Sequence, residues 1–414
     1  MENEIKNNID NPKQLELLYR ENKTAFANAF NSIYKDIKDQ AFAKVWNERL
    51  NYAQEDVAWG NKNEIIFIVV AAIISGLIAK MPSFLGLEFD TYLSKNVGFV
   101  IFPMLSMYFA WKQSLSIVKY ILPILIFINA AVFINYLPNN DKSATLILSA
   151  FHLPILLWTV LGYMFTGGDL KNISKQISFL QFNGNFIVMT ALIFAAGMLF
   201  SGITIALFEL LGLNIAQAYF EQIAIWGFAA LPILSTFLIQ NNPQLVNKIS
   251  PIIARIFTPL VLVTLFLFLC TLLYTQKNIY TDRDFLLLFN ILLIAVMAII
   301  LFSLTTTVHQ GVSKIQLIML FSLSLLTIIA NGIAVYAILI RLNEFGFSPN
   351  RIAVIGANSL MFIHLLLVSV GLFKNLNGKA GITSIERAIA KFIPIYAIWA
   401  VFIIFIMPFI FNFS

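Results

Sequence analysis

The chain has 414 residues, 59% of them apolar and 12% charged, with a formal net charge of +6 and a mean hydropathy of +0.82. A water-soluble domain of this composition could not cover its own apolar surface, which excludes a soluble enzyme. The single cysteine, Cys270, excludes an intramolecular disulfide framework and a cysteine zinc cage.

In chain order, residues 1–63 come first and are different in kind. They hold 9 of the 27 Lys/Arg and 10 of the 21 Asp/Glu, and they lack the apolar core of a signal peptide. Three amphipathic helices are predicted. The first opens at Asp10-Asn11-Pro12, where a capping side chain precedes a proline at the first helical position, and carries Leu15, Leu18 and Tyr19. The second carries Phe26, Phe30, Ile33 and Tyr34, and the third Phe42, Val45, Trp46, Leu50 and Tyr52. Helical spacing places each set on one face. The segment therefore reads as a small cytosolic helical domain that buries these faces internally or docks them on the membrane part, and that serves either as a structural cap or as a sensor or recruitment domain where a protein partner would bind.

From Glu64 onward, apolar runs long enough to cross a hydrocarbon core of roughly 30 Å recur. They predict about eleven spans, near 64–81, 96–112, 117–137, 144–165, 185–211, 219–240, 251–275, 285–305, 315–341, 350–373 and 388–411. The expected fold class is all-α, a polytopic transmembrane helix bundle over residues 64–414. With the N-terminus in the cytoplasm, the inner loops carry eleven Lys/Arg and the outer ones seven, the bias that sets orientation. An odd number of spans then leaves the C-terminus outside.

An internal repeat runs through these spans. Gly98-Phe99, Pro103 and Leu105-Ser106 in the second span match Gly227-Phe228, Pro232 and Leu234-Ser235 in the sixth. Ser75-Gly76 matches Ser201-Gly202 in the preceding spans, and Phe151-His152 faces Phe289-Asn290. A basic residue ahead of a proline recurs as Lys119 and Pro123, Arg255 and Pro259, and Lys391 and Pro394. The expected arrangement is four plus four plus three spans, with copies over 64–165, 185–305 and 315–411. Copies of four spans are parallel, as in some transporters.

Polar residues at depth are the next signal, because a polar group in hydrocarbon is costly unless it is paired. The candidates are Asn129, His152, Asn290, Asn331, Asn358 and His364. One reading gathers His152, Asn290, Asn358 and His364 in a substrate-binding cavity near the midplane, with the histidines accepting protons. The other gives each residue an interhelical hydrogen bond and nothing more. Glu209 and Glu221, at the outer ends of the fifth and sixth spans, form either a cation or proton entrance or a pair of hydrated interfacial carboxylates. Lys119, Arg255 and Lys391 would contact an anionic head group or simply anchor the inner boundary. Thr281-Asp282-Arg283-Asp284 reads as a capped helix start, and His309 as a loop residue.

The sequence has no phosphate-binding loop, no zinc-protease helix, no nucleophile elbow and no dinucleotide fingerprint. No catalytic residue, metal site or cofactor is expected, and no nucleic-acid partner; the lipid bilayer is the expected partner. The stretches Asp282-Arg283-Asp284-Phe285 through Asn290 to Ser303, Ser348-Pro349-Asn350-Arg351-Ile352-Ala353-Val354 and Ile393-Pro394-Ile395-Tyr396-Ala397-Ile398-Trp399 resemble domain-of-unknown-function family 4153. The opening Asn11-Pro12, Leu15-Glu16 and Leu18-Tyr19-Arg20 resembles the cytosolic start of some of its members. The resemblance implies a multi-spanning protein of the bacterial inner membrane and carries no catalytic residues. The function expected is transport of a small solute, coupled to protons through the histidines. The alternative is a non-transporting partner or sensor acting through residues 1–63. A membrane enzyme on lipid-linked substrates is the weakest of the three, since no nucleophile or metal set is present.

Overall fold

The computed structural model describes residues 1–51, 60–138, 140, 142–210, 213–243, 249–275, 283–307 and 314–414, which contain helices and no strand. Two compact units are present, Met1–Ala58 and Trp59–Ser414.

The first unit has four described helices: α1 (Glu2–Asn7), α2 (Pro12–Glu21), α3 (Lys23–Ile37) and α4 (Ala41–Asn51). Asn11 caps α2, its Oδ1 accepting from Gln14 N at 3.2 Å, with Pro12 at the first position as the sequence predicts. Leu15 and Leu18, Phe26, Phe30 and Ile33, and Trp46 meet in one apolar core. Two differences from expectation follow from helix phase. α1 was not foreseen, because its only core residue within the helix is Ile5. On α4 the buried face runs through Ala43 and Trp46, three apart, which turns Phe42 and Val45 outward. Tyr52 lies outside the described residues.

The second unit comprises α5 (Lys62–Leu85), α6 (Phe89–Lys112), α7 (Val118–Tyr136), α8 (Ala144–Phe165), α9 (Ile173–Leu210), α10 (Ala216–Asn241), α11 (Ile249–Thr275), α12 (Arg283–Thr307), α13 (Lys314–Phe345), α14 (Pro349–Leu376) and α15 (Thr383–Ile410). Among the described residues, ten of these are long and apolar enough to cross a membrane, and α12 adds a shorter apolar stretch, Phe289–Thr305. Leu, Ile, Val and Phe side chains cover the outer faces, as in Val69, Ile128, Leu199 and Leu267, whose surroundings would be lipid. A π-helical turn interrupts α10 at Phe220–Ala224 and α15 at Phe402–Ile406.

The helix ends depart from the predicted spans where polar residues continue a helix beyond the apolar run. α9 begins at Ile173 instead of near 185 and has 38 residues, or about 57 Å at about 1.5 Å per residue. The packing has two centres. α5, α6, α8, α9 and α10 surround Leu105, Tyr108, Phe109, Phe179, Phe182 and Phe237. The largest cluster among the described residues joins α11–α15 and the start of α9, where α12 contributes Leu293, Val296, Met297 and Ile300 and α13 and α14 contribute Leu320, Leu323, Leu365 and Val368.

Candidate functional site

The buried stripe of α13 passes through Leu320, Ser324, Thr327, Asn331, Ala334 and Ile338, and that of α14 through Asn358, Met361, His364, Leu365, Val368 and Leu372. Steps of three and four keep each set on one face. A 2.6 Å hydrogen bond between Ser324 Oγ and Ser369 Oγ fixes the antiparallel register, and Gly332 faces the Phe362 ring. Asn331 thus stands level with Phe362, with His364 about 3 Å and Asn358 about 6 Å away along the axis at about 1.5 Å per residue. All three lie mid-helix.

Asn358 Nδ2 donates to Asn290 Oδ1 at 2.7 Å, joining α14 to α12, and Asn290 Nδ2 donates to Leu286 O of its own helix. His364 Nδ1 bonds Tyr396 Oη on α15 at 3.0 Å, and its ring stacks on Phe392 with centroids 4.3 Å apart. Tyr396 Oη also lies 3.8 Å from Met297 Sδ. If the phenol donates to sulfur it accepts from Nδ1–H, leaving Nε2 an acceptor; if it donates to Nδ1, Nε2 carries the proton. Asn331 is 0% exposed and His364 1% exposed. Both amide atoms of Asn331 and the Nε2 of His364 have no hydrogen-bond partner among the described residues. Each such atom costs about 1–3 kcal/mol of desolvation.

No family model, curated protein or solved structure matches the chain. Its chemistry is therefore read from its own geometry.

Of the four substrate-binding residues expected, Asn290 and Asn358 bond directly, and His364 lies about 9 Å along α14 from Asn358 at about 1.5 Å per residue. His152 is half-buried on α8, its Nδ1 2.9 Å from the carbonyl of Leu148 in the same helix. Asn129 is exposed on α7, its amide folded back onto Leu125 O at 2.7 Å; its own backbone satisfies it, so it does not face the interior. Glu209 is exposed at the end of α9. Glu221 is exposed in the π turn of α10, its carboxylate accepting from Gln217 Nε2 at 2.8 Å. The Glu221 carbonyl accepts from Lys80 Nζ at 2.8 Å, so a buried ammonium already lies beside that end of α10. Lys119, Arg255 and Lys391 are all exposed, and Lys119 Nζ reaches Gly167 O at 2.7 Å, just beyond the C-terminus of α8, the favoured place for a cation. His309, Thr281 and Asp282 lie outside the described residues. No group of three or more metal-binding side chains occurs among the described residues.

Sequence reasoning missed a second polar centre. Glu64, in the first turn of α5, is 2% exposed. Its Oε1 accepts from Tyr108 Oη at 2.6 Å, Lys112 Nζ at 2.9 Å and Asn241 Nδ2 at 3.1 Å. One carboxylate therefore ties the start of α5 to the ends of α6 and α10. The signal was available: an acid opens one span and a base closes the next, at the same end of an antiparallel pair.

Proposed function

We propose that the chain is a multi-pass transporter of the bacterial inner membrane that carries a small solute, with proton coupling at His364, along the polar seam of Asn290, Asn331, Asn358, His364 and Tyr396. The observation that carries this reading is that three of the six buried side-chain polar atoms without partners among the described residues, both amide atoms of Asn331 and Nε2 of His364, fall at one mid-helix level. A purely structural amide in a membrane bundle is retained for the interhelical bond it makes, and Asn331 makes none among the described residues. Groups of this kind suit a passing solute or water, which supplies the missing partner.

The expected topology has support from parity. Thr145 N donates to Ser414 O, and Ser143 Oγ to Phe413 O, so the start of α8 and the end of α15 share a face. An even number of crossings between them supports α12 crossing together with the other seven helices. This supports the expected eleven spans, and Gln181 of α9 bonding Thr305 of α12 fits the same count. The Lys/Arg bias supports a cytoplasmic N-terminus. The repeat of four, four and three spans rests on the ordered sequence matches, with surroundings that differ between copies: a Cβ at Gly98 would lie 3.0 Å from Leu157, while Gly227 faces open space. Membership of family 4153 likewise rests on the quoted stretches. Leu17, Phe42 and Val45 remain exposed on the first unit, and support a protein partner at residues 1–63.

The test is solute-dependent proton flux in proteoliposomes loaded with a pH-sensitive dye and offered a panel of small polar solutes. His364→Ala should abolish flux, whereas His152→Ala, whose ring bonds its own helix, should retain most of it. Undiminished flux in His364→Ala would remove the proposed coupling role.

A further inference from the structure

We propose that the Asn331 level of the seam binds a neutral small molecule presenting a hydrogen-bond donor and an acceptor side by side, of the primary carboxamide or urea class. The inference rests on the transport reading only for how such a molecule reaches the site.

The first argument is the kind of valence left open. A side-chain amide offers one donor edge and one acceptor edge in a single plane, and another amide satisfies both at once. This chain builds that pairing elsewhere: Asn96 Nδ2 donates to Asn135 Oδ1 at 2.9 Å, and Asn135 Nδ2 donates back to Asn96 Oδ1 at 2.8 Å. Asn331 is one half of such a pair, fully buried, with neither edge used among the described residues. A lone carbonyl or a lone ammonium would satisfy one edge and leave the other stranded.

The second argument is charge. α13 has no charged residue between Lys314 and Arg341, and α14 none between Arg351 and Lys374. The polar groups that meet at this depth are amides, an imidazole and a phenol, all uncharged when the imidazole is neutral; the nearest charge on α15, Lys391 beside Phe392, is exposed. While the imidazole is neutral, an anion or cation held there would lack a counter-charge, and an isolated buried ion is far more costly than a buried amide. The third is adaptability. His364 Nε2 becomes donor or acceptor according to where the Tyr396 proton goes, so the same level can take either end of an asymmetric ligand.

The probes are acetamide and urea, with acetate and methylammonium as charged comparators of similar size. Saturation-transfer NMR on the full chain in nanodiscs reads binding, and light scattering from proteoliposomes reads flux. Acetamide and urea should bind saturably and the charged comparators should not. Asn331→Leu should weaken binding by roughly tenfold or more, while the melting temperature holds or rises because an unpaired buried amide has been removed. Should that variant not be recovered, Asn331→Thr, which is polar but cannot pair both edges, carries the same expectation. Absence of acetamide and urea binding to the native chain, equal binding of acetate, or undiminished binding to the variant would each overturn the proposal. Binding without flux would contradict the transport reading and leave this site standing; flux independent of Asn331 would do the reverse.

Discussion

Single residues carry most of the chemistry here, and two of them show why depth matters. Glu64 is a buried carboxylate stabilised by three donors, and losing one of them leaves the charge less well solvated. Hydrogen bonds to charged groups contribute about 1.5–3 kcal/mol, so Tyr108→Phe should lower stability by about that amount, read as a lower melting temperature in detergent. An unchanged melt would mean the carboxylate is solvated by other means. The carboxylates on the surface of the first unit, the partly exposed Glu16 and the exposed Asp36, behave differently. Hydrogen bonds from Arg20 and then Arg49 hold the Glu16 carboxyl below the usual carboxylate range, and Lys6 does the same for Asp36. A depressed folded-state value gives stability that is present above the ordinary carboxylate range and lost as the pH falls through the folded value. Hydrogen exchange in α2 and α4 of the full chain, corrected for intrinsic rate, should therefore accelerate below about pH 4. Glu16→Gln should blunt that acid response, and equal acid sensitivity in the variant would contradict it. At this scale the sequence was half legible. Asn290, Asn358 and His364 stand out as polar letters in apolar runs, but His152 and Asn129 meet the same criterion and bond their own helices instead.

Helices are more legible than residues, because an apolar run of about twenty residues has few alternatives. The runs located the spans, while polar extensions such as the first turns of α9 escaped, since nothing in a polar stretch marks it as helical beyond the bilayer. The link between α13 and α14 shows local chemistry fixing a turn. Gly346 adopts φ +70°, Ser348 caps α14 ahead of Pro349, and Arg351 Nη1 donates to Phe345 O and Gly346 O at 2.9 and 2.8 Å. The stretch from Ser348 to Arg351 is thus accounted for as a helix start. Close helix approach has its own signature in glycine. A Cβ at Gly76 would lie 2.1 Å from the Trp226 ring, whereas Gly197 has nothing within 4 Å. Gly76→Ala should destabilise by about 1–3 kcal/mol through overpacking, and Gly197→Ala should be neutral or stabilising by up to about 1 kcal/mol. Thermal melts of the two variants check the contrast, and equal effects would argue against the α5–α10 contact.

For the whole molecule, composition alone set the class, since no other environment accepts this much apolar surface. It could not say which spans meet, because lipid-facing and protein-facing leucines look alike in sequence. That is why the pairing of Asn358 with Asn290, the isolation of Asn331 and the three-helix tie at Glu64 emerge only in three dimensions. The central claim is that polar groups at the centre of the C-terminal helices belong to a path open to water-borne solutes. Its most direct test is thiol accessibility in sealed vesicles, using a cysteine at position 331 in a Cys270→Ala background and a charged methanethiosulfonate reagent. A second cysteine at Leu339, which is 50% exposed on the outer face of α13, serves as the lipid-facing control. A solute path predicts that the cysteine replacing Asn331 reacts from the aqueous phase and that the one replacing Leu339 does not. A cysteine at 331 as inert as the one at 339 would contradict it.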